Sequence, residues 1–520
     1  MRKVKSPPLH EARADYEIAK KSGRFRRNRR GVAGIGTSGD FHFRTEADWL
    51  YSIEYARDLD RNDSVAGMIV DRLIDNILQD VGCRPDPCTG DENADAFLKA
   101  KWKEWSQDED QCDLAGEMTF AEQERAVLRG AIVDGDILPV TNAAGSLEIM
   151  EAHRCRTPTN SKKNIVYGVE LNENRRRLNY LFTNEEIDPR RALRKVSDTT
   201  SVAARDTDGF RQVFHVFDPS RVSQTRGMSA FRRVADTIGM HDDIEFAELV
   251  RHQIASCFAV FRKKAKASPL GGAQYGPRST ETIGTYSRTL ENIGPGMEID
   301  GEPGEELTGF SPNTPGSDYL NHIQKVLKTV CANLGIPFQA VFLDPSQTNF
   351  SGWRGALDQA RMGYRRIQTW LIRKFHRRVY LWKVRTWLAE SPELQGWATQ
   401  GGVDIFKHKW SRPSWEYIQP LQDAAADVTK VSSGITTHRK VHASRGDDFD
   451  DVIVEAVGDN AKWYRLCRDA ARAINLEADD DSERVSWREL LALPLHDGLK
   501  LTLNADVSQT EKEHDADQQR

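Results

Sequence analysis

The residues with the chemical types for catalysis fall in a few groups. Asp134 and Asp136 flank Gly135, and paired carboxylates are what a metal-dependent nuclease uses to hold its ion and activate water. They stand, however, at a helix-to-strand turn with no partner carboxylate in the local pattern, and a turn is the simpler reading. Asp242, Asp243, Glu245 and Glu248 form a second acidic group. Asp242 and Glu245 would share one helix face, so a solvated or salt-bridged stripe accounts for them. Cys112, His153 and Cys155 are zinc-ligand types, but their spacing fits no standard site, and Cys83 and Cys88 flank a short Pro-containing turn. His215 has no Ser, Cys or Asp at catalytic spacing and reads as structural. Gly34, Gly36 and Gly39 spell a dinucleotide fingerprint, yet no apolar strand precedes them and Phe41 to Phe43 opens no helix. Phosphate-loop, zinc-helix and nucleophile-elbow motifs are missing from the sequence. The expectation is a non-enzyme with no catalytic residues, no metal and no cofactor. A metal-dependent DNA-processing nuclease using Asp134, Asp136 or the 242–248 group is the alternative.

The elements that would position these residues belong to a long chain. At 520 residues it exceeds one core and suggests two to four domains. With 39% hydrophobic residues it can bury a sizeable interior. A net charge of −5 and a pI near 6.3 argue against a protein that coats DNA, since tight phosphate binding usually comes with a basic domain. No apolar run approaches the roughly 20 residues that span a bilayer, and no apolar segment follows the basic N-terminus. The expectation is no membrane contact and assembly in a cytoplasm, with the seven cysteines reduced.

The first 44 residues are polar, with Lys20, Lys21, Arg24, Arg26, Arg27, Arg29 and Arg30 crowded together. Such a run is a solvated arm or an anchor for packaged DNA or a scaffold. Thr45 and Asp48 then resemble a capping box. Trp49, Ile53, Ala56 and Leu59 stripe a first helix, and Val65, Ile69, Leu73 and Ile77 a second that closes at Gly82. Trp102 and Trp105 read as core anchors. From Ile137 to Phe217 the period becomes two. Ile137–Thr141 with Ser146–Met150, and Ile165–Leu171 with Leu178–Phe182, form hairpins, and 185–209 is an exposed loop. Met228 to Phe261 reads as one long helix. Residues 262–317 are dense in Gly and Pro, entered by Arg262, Lys263, Lys264 and Lys266.

A second helix runs from Tyr319 through Ile323, Val326, Leu327, Val330 and Leu334 to Gly335 and Pro337. The loop that follows begins with the apolar Ala340, Val341, Phe342 and Leu343 and ends with the polar Asp344, Gln347, Thr348 and Asn349. After Ser351, the expected N-cap, apolar residues from Trp353 to Trp382 keep helical spacing until Ser391 and Pro392. At about 1.5 Å per residue that helix would be roughly 50–60 Å long. Shorter helices are expected at 421–432, 448–457, 460–475 and 483–492, before a polar tail.

Several motifs in this order resemble the lambda-like family of tailed-bacteriophage portal proteins. They are Ala56-Arg57-Asp58-Leu59 with Arg61-Asn62, Trp102 and Trp105, Cys112-Asp113, Gly116, Phe120, and Asp134-Gly135-Asp136-Ile137. There follow Phe214-His215-Val216-Phe217 through Arg221, Gln224, Arg226 and Gly227, then Gly294-Pro295-Gly296 and Phe310-Ser311-Pro312 with Pro315. The break at Gly335-Ile336-Pro337 leads through Asp344-Pro345-Ser346 to Asn349-Phe350-Ser351. Lys409-Trp410, Ile418-Gln419-Pro420 and Arg445-Gly446-Asp447-Asp448 complete the set. The resemblance covers roughly 45–460.

The resemblance implies an α+β portal fold. Its parts would be a mobile arm at 1–44, a wing of helices and hairpins at 45–227, a first stem helix at 228–262 and a clip at 263–317. A second stem helix at 318–335, a tunnel loop at 336–350, a long wing helix at 351–391, a helical crown at 392–480 and a C-terminal helix and tail at 481–520 complete it. About a dozen copies would form a homo-oligomeric ring at one capsid vertex of the virion, assembled in a bacterial cytoplasm. Double-stranded DNA would pass through it during packaging and ejection. The implied partners are the terminase large subunit at the clip, the head-tail adaptor, the major capsid protein and a scaffold. Val341, Phe342, Leu343, Asp344, Gln347, Thr348 and Asn349 would face DNA, and Arg262, Lys263, Lys264 and Lys266 would form a basic ring or solvated run at the clip entrance.

Overall fold

The computed structural model describes residues 40, 45–80, 82–159, 164–183, 199–263, 279–283, 286–290, 297–301, 317–344, 348–415, 420–445, 449–477 and 486–487. The basic arm and the Gly34–Gly39 run lie outside these residues, as do Lys264, Lys266, Gln347 and the tail. The chain divides into two compact units, residues 1–413 and 414–520.

The first unit opens with α1 (Glu46–Asn62), α2 (Ser64–Leu78), β1 (Arg84–Pro87), α3 (Glu92–Gln107), the one-turn α4 (Glu109–Cys112) and α5 (Phe120–Val133). Short polar side chains start them. Thr45 Oγ1 accepts from Asp48 N, Asp63 caps α2, Asp91 caps α3, and Thr119 with Glu122 makes a full capping box on α5. Antiparallel strands follow. β2 (Asp136–Thr141) lies between β3 (Leu147–Glu151) and β8 (Val216–Phe217). β4 (Ile165–Val166), β5 (Val169–Leu171), β6 (Arg177–Thr183) and β7 (Thr199–Ala203) form a four-stranded meander. β7 falls inside the span expected to be a loop. Tyr180, Phe182, Leu138, Val140 and Val213 meet as one core cluster, and Trp49, Leu50 and Ile53 pack on Ala152 and Met228 as another.

The helix expected at 228–261 is shorter. Ala230–Arg233 is a 3-10 turn, α6 spans Ala235–Cys257, and the chain is then a strand, β9 (Phe258–Lys263), which takes in Arg262 and Lys263 of the basic run. β9 pairs in parallel with β12 (Met297–Gly301), and β10 (Ser279–Ile283) forms a hairpin with β11 (Tyr286–Leu290). Then come α7 (Ser317–Leu334), which packs along α6, the short α8 (Phe338–Phe342) and α9 (Phe350–Leu371). A π turn at Ile372–His376 links α9 to α10 (Arg377–Glu390). The long rod therefore exists, but it is wound in two α pieces around that turn. α11 (Pro392–Ala398) and β13 (His408–Ser411) return the chain to β1, with Arg84 opposite Ser411. An aromatic core joins them: Trp102 lies within 5.1–6.2 Å of Trp105, Phe120, Tyr380 and Trp410, centroid to centroid.

The second unit holds α12 (Pro420–Ser432), α13 (His438–Arg445) and α14 (Phe449–Glu477). α14 is one helix where two were expected, because Gly458 lowers helix propensity without breaking the run. Arg439 clamps α13 to Asp450 with two hydrogen bonds of 3.0 and 2.6 Å. The helix expected at 483–492 lies almost wholly outside the described residues. Among those residues no helix is long and apolar enough to cross a membrane.

Candidate functional site

Residues 317–390 form helix, loop and helix, and the stops between them are chemically definite. α7 buries Leu327, Val330 and Cys331 and leaves Asn321, His322, Lys325, Lys328 and Asn333 exposed. It ends because Gly335 takes φ +80°. Ile336 N then donates to Cys331 O at 3.1 Å and Gly335 N to Ala332 O at 3.3 Å, the pair of bonds that closes a helix on a left-handed glycine. After Pro337 the segment read as an irregular apolar loop winds into α8, where Phe338 and Phe342 stack at 4.5 Å and Val341 is buried. Leu343 and Asp344 are exposed, and Leu343 carries φ +54°, a conformation costly for a branched side chain. Gln339 Nε2 donates to Thr348 Oγ1 at 2.8 Å, tying the loop's end to α8. The N-cap of α9 is Asn349, whose Oδ1 accepts from Gly352 N at 2.8 Å, not Ser351. Of the loop residues singled out from sequence, Leu343 and Asp344 face outward. Val341 is interior, and Thr348 and Asn349 spend their polar groups inside the loop.

Under α9, Gln368 is buried and donates to Ile77 O and Pro413 O at 2.8 and 3.0 Å, fixing the rod to α2 and to the end of β13. The carboxylates of the nuclease alternative are occupied. Asp134 accepts from Arg57 Nε and Nη2 at 2.8 and 2.6 Å. Asp136 accepts from Arg226 Nε and Nη2 at 2.7 and 3.0 Å, from His215 Nε2 at 2.9 Å and from Gly227 N at 2.9 Å. Arg226 also donates to three backbone carbonyls and lies 4.2 Å over the Trp49 ring. Burial alone would raise the Asp136 pKa, but Arg226 and His215 outweigh it and hold it well below the ordinary carboxylate range. Burial pushes His215 down to about 3, so the ring is neutral and donates from Nε2. Two guanidiniums where a nuclease needs a cation leave no room for a catalytic metal. The 242–248 group is a surface stripe, with Glu245 3.3 Å from His241 and Glu248 3.4 Å from Arg251.

Cys112, His153 and Cys155 each have other partners: Met118 O, Glu151 and Gly168 O respectively. A different set meets. Cys83 at the foot of α2, Glu124 on α5 and His376 at the end of the π turn are all buried, with their ligand atoms within 4.8 Å of one another. His376 Nε2 is 2.7 Å from Glu124 Oε1, and Cys83 N donates to both Glu124 oxygens at 3.2 and 3.3 Å. Burial first, then Glu124, pushes the Cys83 thiol well above its usual range. Sequence spacing gives no sign of this trio, which comes from three distant segments.

The family model for lambda-family phage portal proteins matches residues 45–368. Portal protein B of Escherichia phage lambda is 23% identical over 408 residues, covering 71% of this chain and 74% of that protein. The portal protein of Escherichia phage N15 is 22% identical over the same shares. Among solved structures, a chain from the neck of an empty gene transfer agent particle superposes with a TM-score of 0.39 and 10% identity over 75% of this chain and 93% of that one. A chain of the native gene transfer agent virion gives 0.37 and 12% over 76% and 93%. With that match over more than half its length, the chain belongs to the lambda family of phage portal proteins.

Proposed function

We propose that this portal protein closes into a ring, of twelve copies, at one vertex of the capsid, and that double-stranded DNA passes through its centre during packaging and ejection. The observation that carries the reading is the pairing of α6 with α7 followed by the glycine-closed stop, the short loop and the start of the rod, all inside the segment matched by the portal family. In this reading α6 and α7 are the stem, and residues 263–317 between them are the clip on which the terminase large subunit docks. Residues 336–350 are the tunnel loop. The head-tail adaptor, the major capsid protein and a scaffold bind elsewhere on the ring. No chemical step is assigned to the chain: Arg57 and Arg226 hold Asp134 and Asp136, and in the 242–248 group Glu245 and Glu248 lie against His241 and Arg251.

Head-to-tail contacts close into rings only when the rotation per subunit allows it, and otherwise give open filaments. Native mass spectrometry of the purified protein at micromolar concentration is expected to show one closed cyclic species near twelve copies. A protein that is only monomer or dimer under those conditions overturns the ring.

A further inference from the structure

We propose that Cys83, Glu124 and His376 form a binding site for one zinc-class divalent cation, a structural staple in the wing core. Each ligand comes from a different element: the turn after α2, the middle of α5 and the π turn of the rod. A thiol, a carboxylate and an imidazole suit a borderline-soft ion such as Zn²⁺, whereas Mg²⁺ and Ca²⁺ take oxygen ligands. Thiolate and carboxylate together would neutralise the ion's two charges, which a dry interior requires.

Three features point to a ligand rather than to an ordinary buried ion pair. His376 is fully buried and neither ring nitrogen has a hydrogen-bond partner, while Nε2 lies 2.7 Å from Glu124 Oε1 in the same trio. A buried imidazole left so costs free energy unless something else accepts its lone pair. Gly82 has φ +64°, and a Cβ there would lie 2.3 Å from Glu124 Oε2, so the backbone leaves space for that carboxylate. His376 is placed by the one π turn among the described residues, and such insertions concentrate at functional positions because they redirect a side chain from an otherwise regular helix. Phe120, Phe375 and Trp410 surround the imidazole at 6.0, 5.2 and 5.2 Å between centroids, walls that exclude water and favour binding over hydration. The three ligand atoms already lie within 4.8 Å of one another, against metal–ligand distances of about 2.0–2.3 Å, and the second Glu124 oxygen would fill the fourth position. Binding takes the thiolate and so releases a proton to solvent.

The test uses the full chain, stripped with EDTA and titrated with Co²⁺ and then Zn²⁺. Expected are one cobalt per chain, a thiolate-to-cobalt charge-transfer band and a melting temperature that climbs with free zinc. Cys83→Ser should abolish the band, Cys88→Ser should retain it, and His376→Gln should weaken zinc binding by at least about tenfold. Should Cys83→Ser or His376→Gln fail to fold, alkylation of the wild-type chain mapped by mass spectrometry decides. Zinc is expected to slow labelling of Cys83 but not of Cys155. Equal labelling with and without zinc, no charge-transfer band, or a band that survives Cys83→Ser overturns the site and leaves Glu124–His376 as a plain buried ion pair.

Discussion

Asp136 shows how one residue can look catalytic in sequence and be architectural in space. Its carboxylate receives four donors from Arg226, His215 and Gly227, so it locks the segment leading to α6 onto β2. Backbone crowding enforces the same junction. Gly135 has φ +98° and its added Cβ would meet Met228 backbone at 2.2 Å, while a Cβ on Gly227 would meet Gly135 O at 1.9 Å. Neither neighbour is a side chain that can swing away. Gly227→Ala is therefore expected to cost at least about 3 kcal/mol, read as a lower denaturation midpoint and loss of assembled protein; a midpoint within error of wild type refutes the packing. The network also has a pH signature. Folded His215 titrates near 3 against an ordinary 6.5, so as pH falls from 6.5 towards 3 only the unfolded chain takes up its proton, and stability drops. Asp136, held below its ordinary 3.8, adds a loss in the same direction once pH falls under that value. His215→Gln should remove the first loss, flattening the dependence of unfolding free energy on pH by up to about 1.4 kcal/mol per unit between pH 6 and 4. Identical slopes in urea titrations of variant and wild type would contradict a neutral buried ring.

At the scale of elements, the proposed tunnel loop holds the sharpest consequence. Residues 335–350 contain no Lys or Arg, which suits a conduit: each firm phosphate contact repeated round a ring would release counterions and grip the duplex. Two substitutions that look alike in sequence now separate. Asn349→Lys removes the cap on Gly352 N and is expected to lower stability by about 1 kcal/mol, an effect that Asn349→Asp avoids and added salt does not repair. Gln347→Lys leaves that cap intact and is expected to slow DNA movement, with recovery as salt is raised. Thermal melting of the ring beside packaging rates at two salt concentrations checks both, and a stability loss for Gln347→Lys with no salt-dependent rate removes the loop from the channel. These distinctions were only half legible in the sequence. Thr45 and Gly335 announce their caps because the side chain or the missing Cβ acts locally. Asn349 and Ser351 are both competent caps two residues apart, and only the backbone decides between them. The π turn escapes notice since Leu371, Phe375 and Val379 keep a spacing of four, within helical tolerance. Phe258 to Phe261 is an apolar run too short to tell strand from helix. The Cys83–Glu124–His376 meeting and the Arg226 clamp are tertiary, and no local period encodes them.

At the scale of the whole molecule, the described strands between α6 and α7 pair with one another, and the edges of that segment follow from the pairing. Taken from sequence, the insert begins at residue 263. In space the chain is already a strand at Phe258, and β9 hydrogen-bonds with β12 from the far side of the insert. Among the described residues the β10–β11 hairpin likewise pairs only within it. A deletion starting at 263 would strip β9 of its partner and expose an unpaired edge at the end of α6, an invitation to aggregate. A deletion of 258–316, joining Cys257 to Ser317 through a short flexible linker, removes every strand of the module together. The contacts between α6 and α7, the four-stranded meander and the aromatic core around Trp102 all lie outside the deleted span. The 258–316 deletion is accordingly expected to stay soluble with a melting temperature within a few degrees of wild type, about the shift that 1 kcal/mol produces in a chain of this size. If this segment is the proposed clip, packaging should fail all the same, because the motor would lose its dock. The 263–317 deletion should aggregate more than the 258–316 deletion in parallel preparations. If the longer deletion precipitates as readily as the shorter, or if capsids carrying it still fill with DNA at the normal rate, residues 258–316 are part of the wing and not a separate docking module.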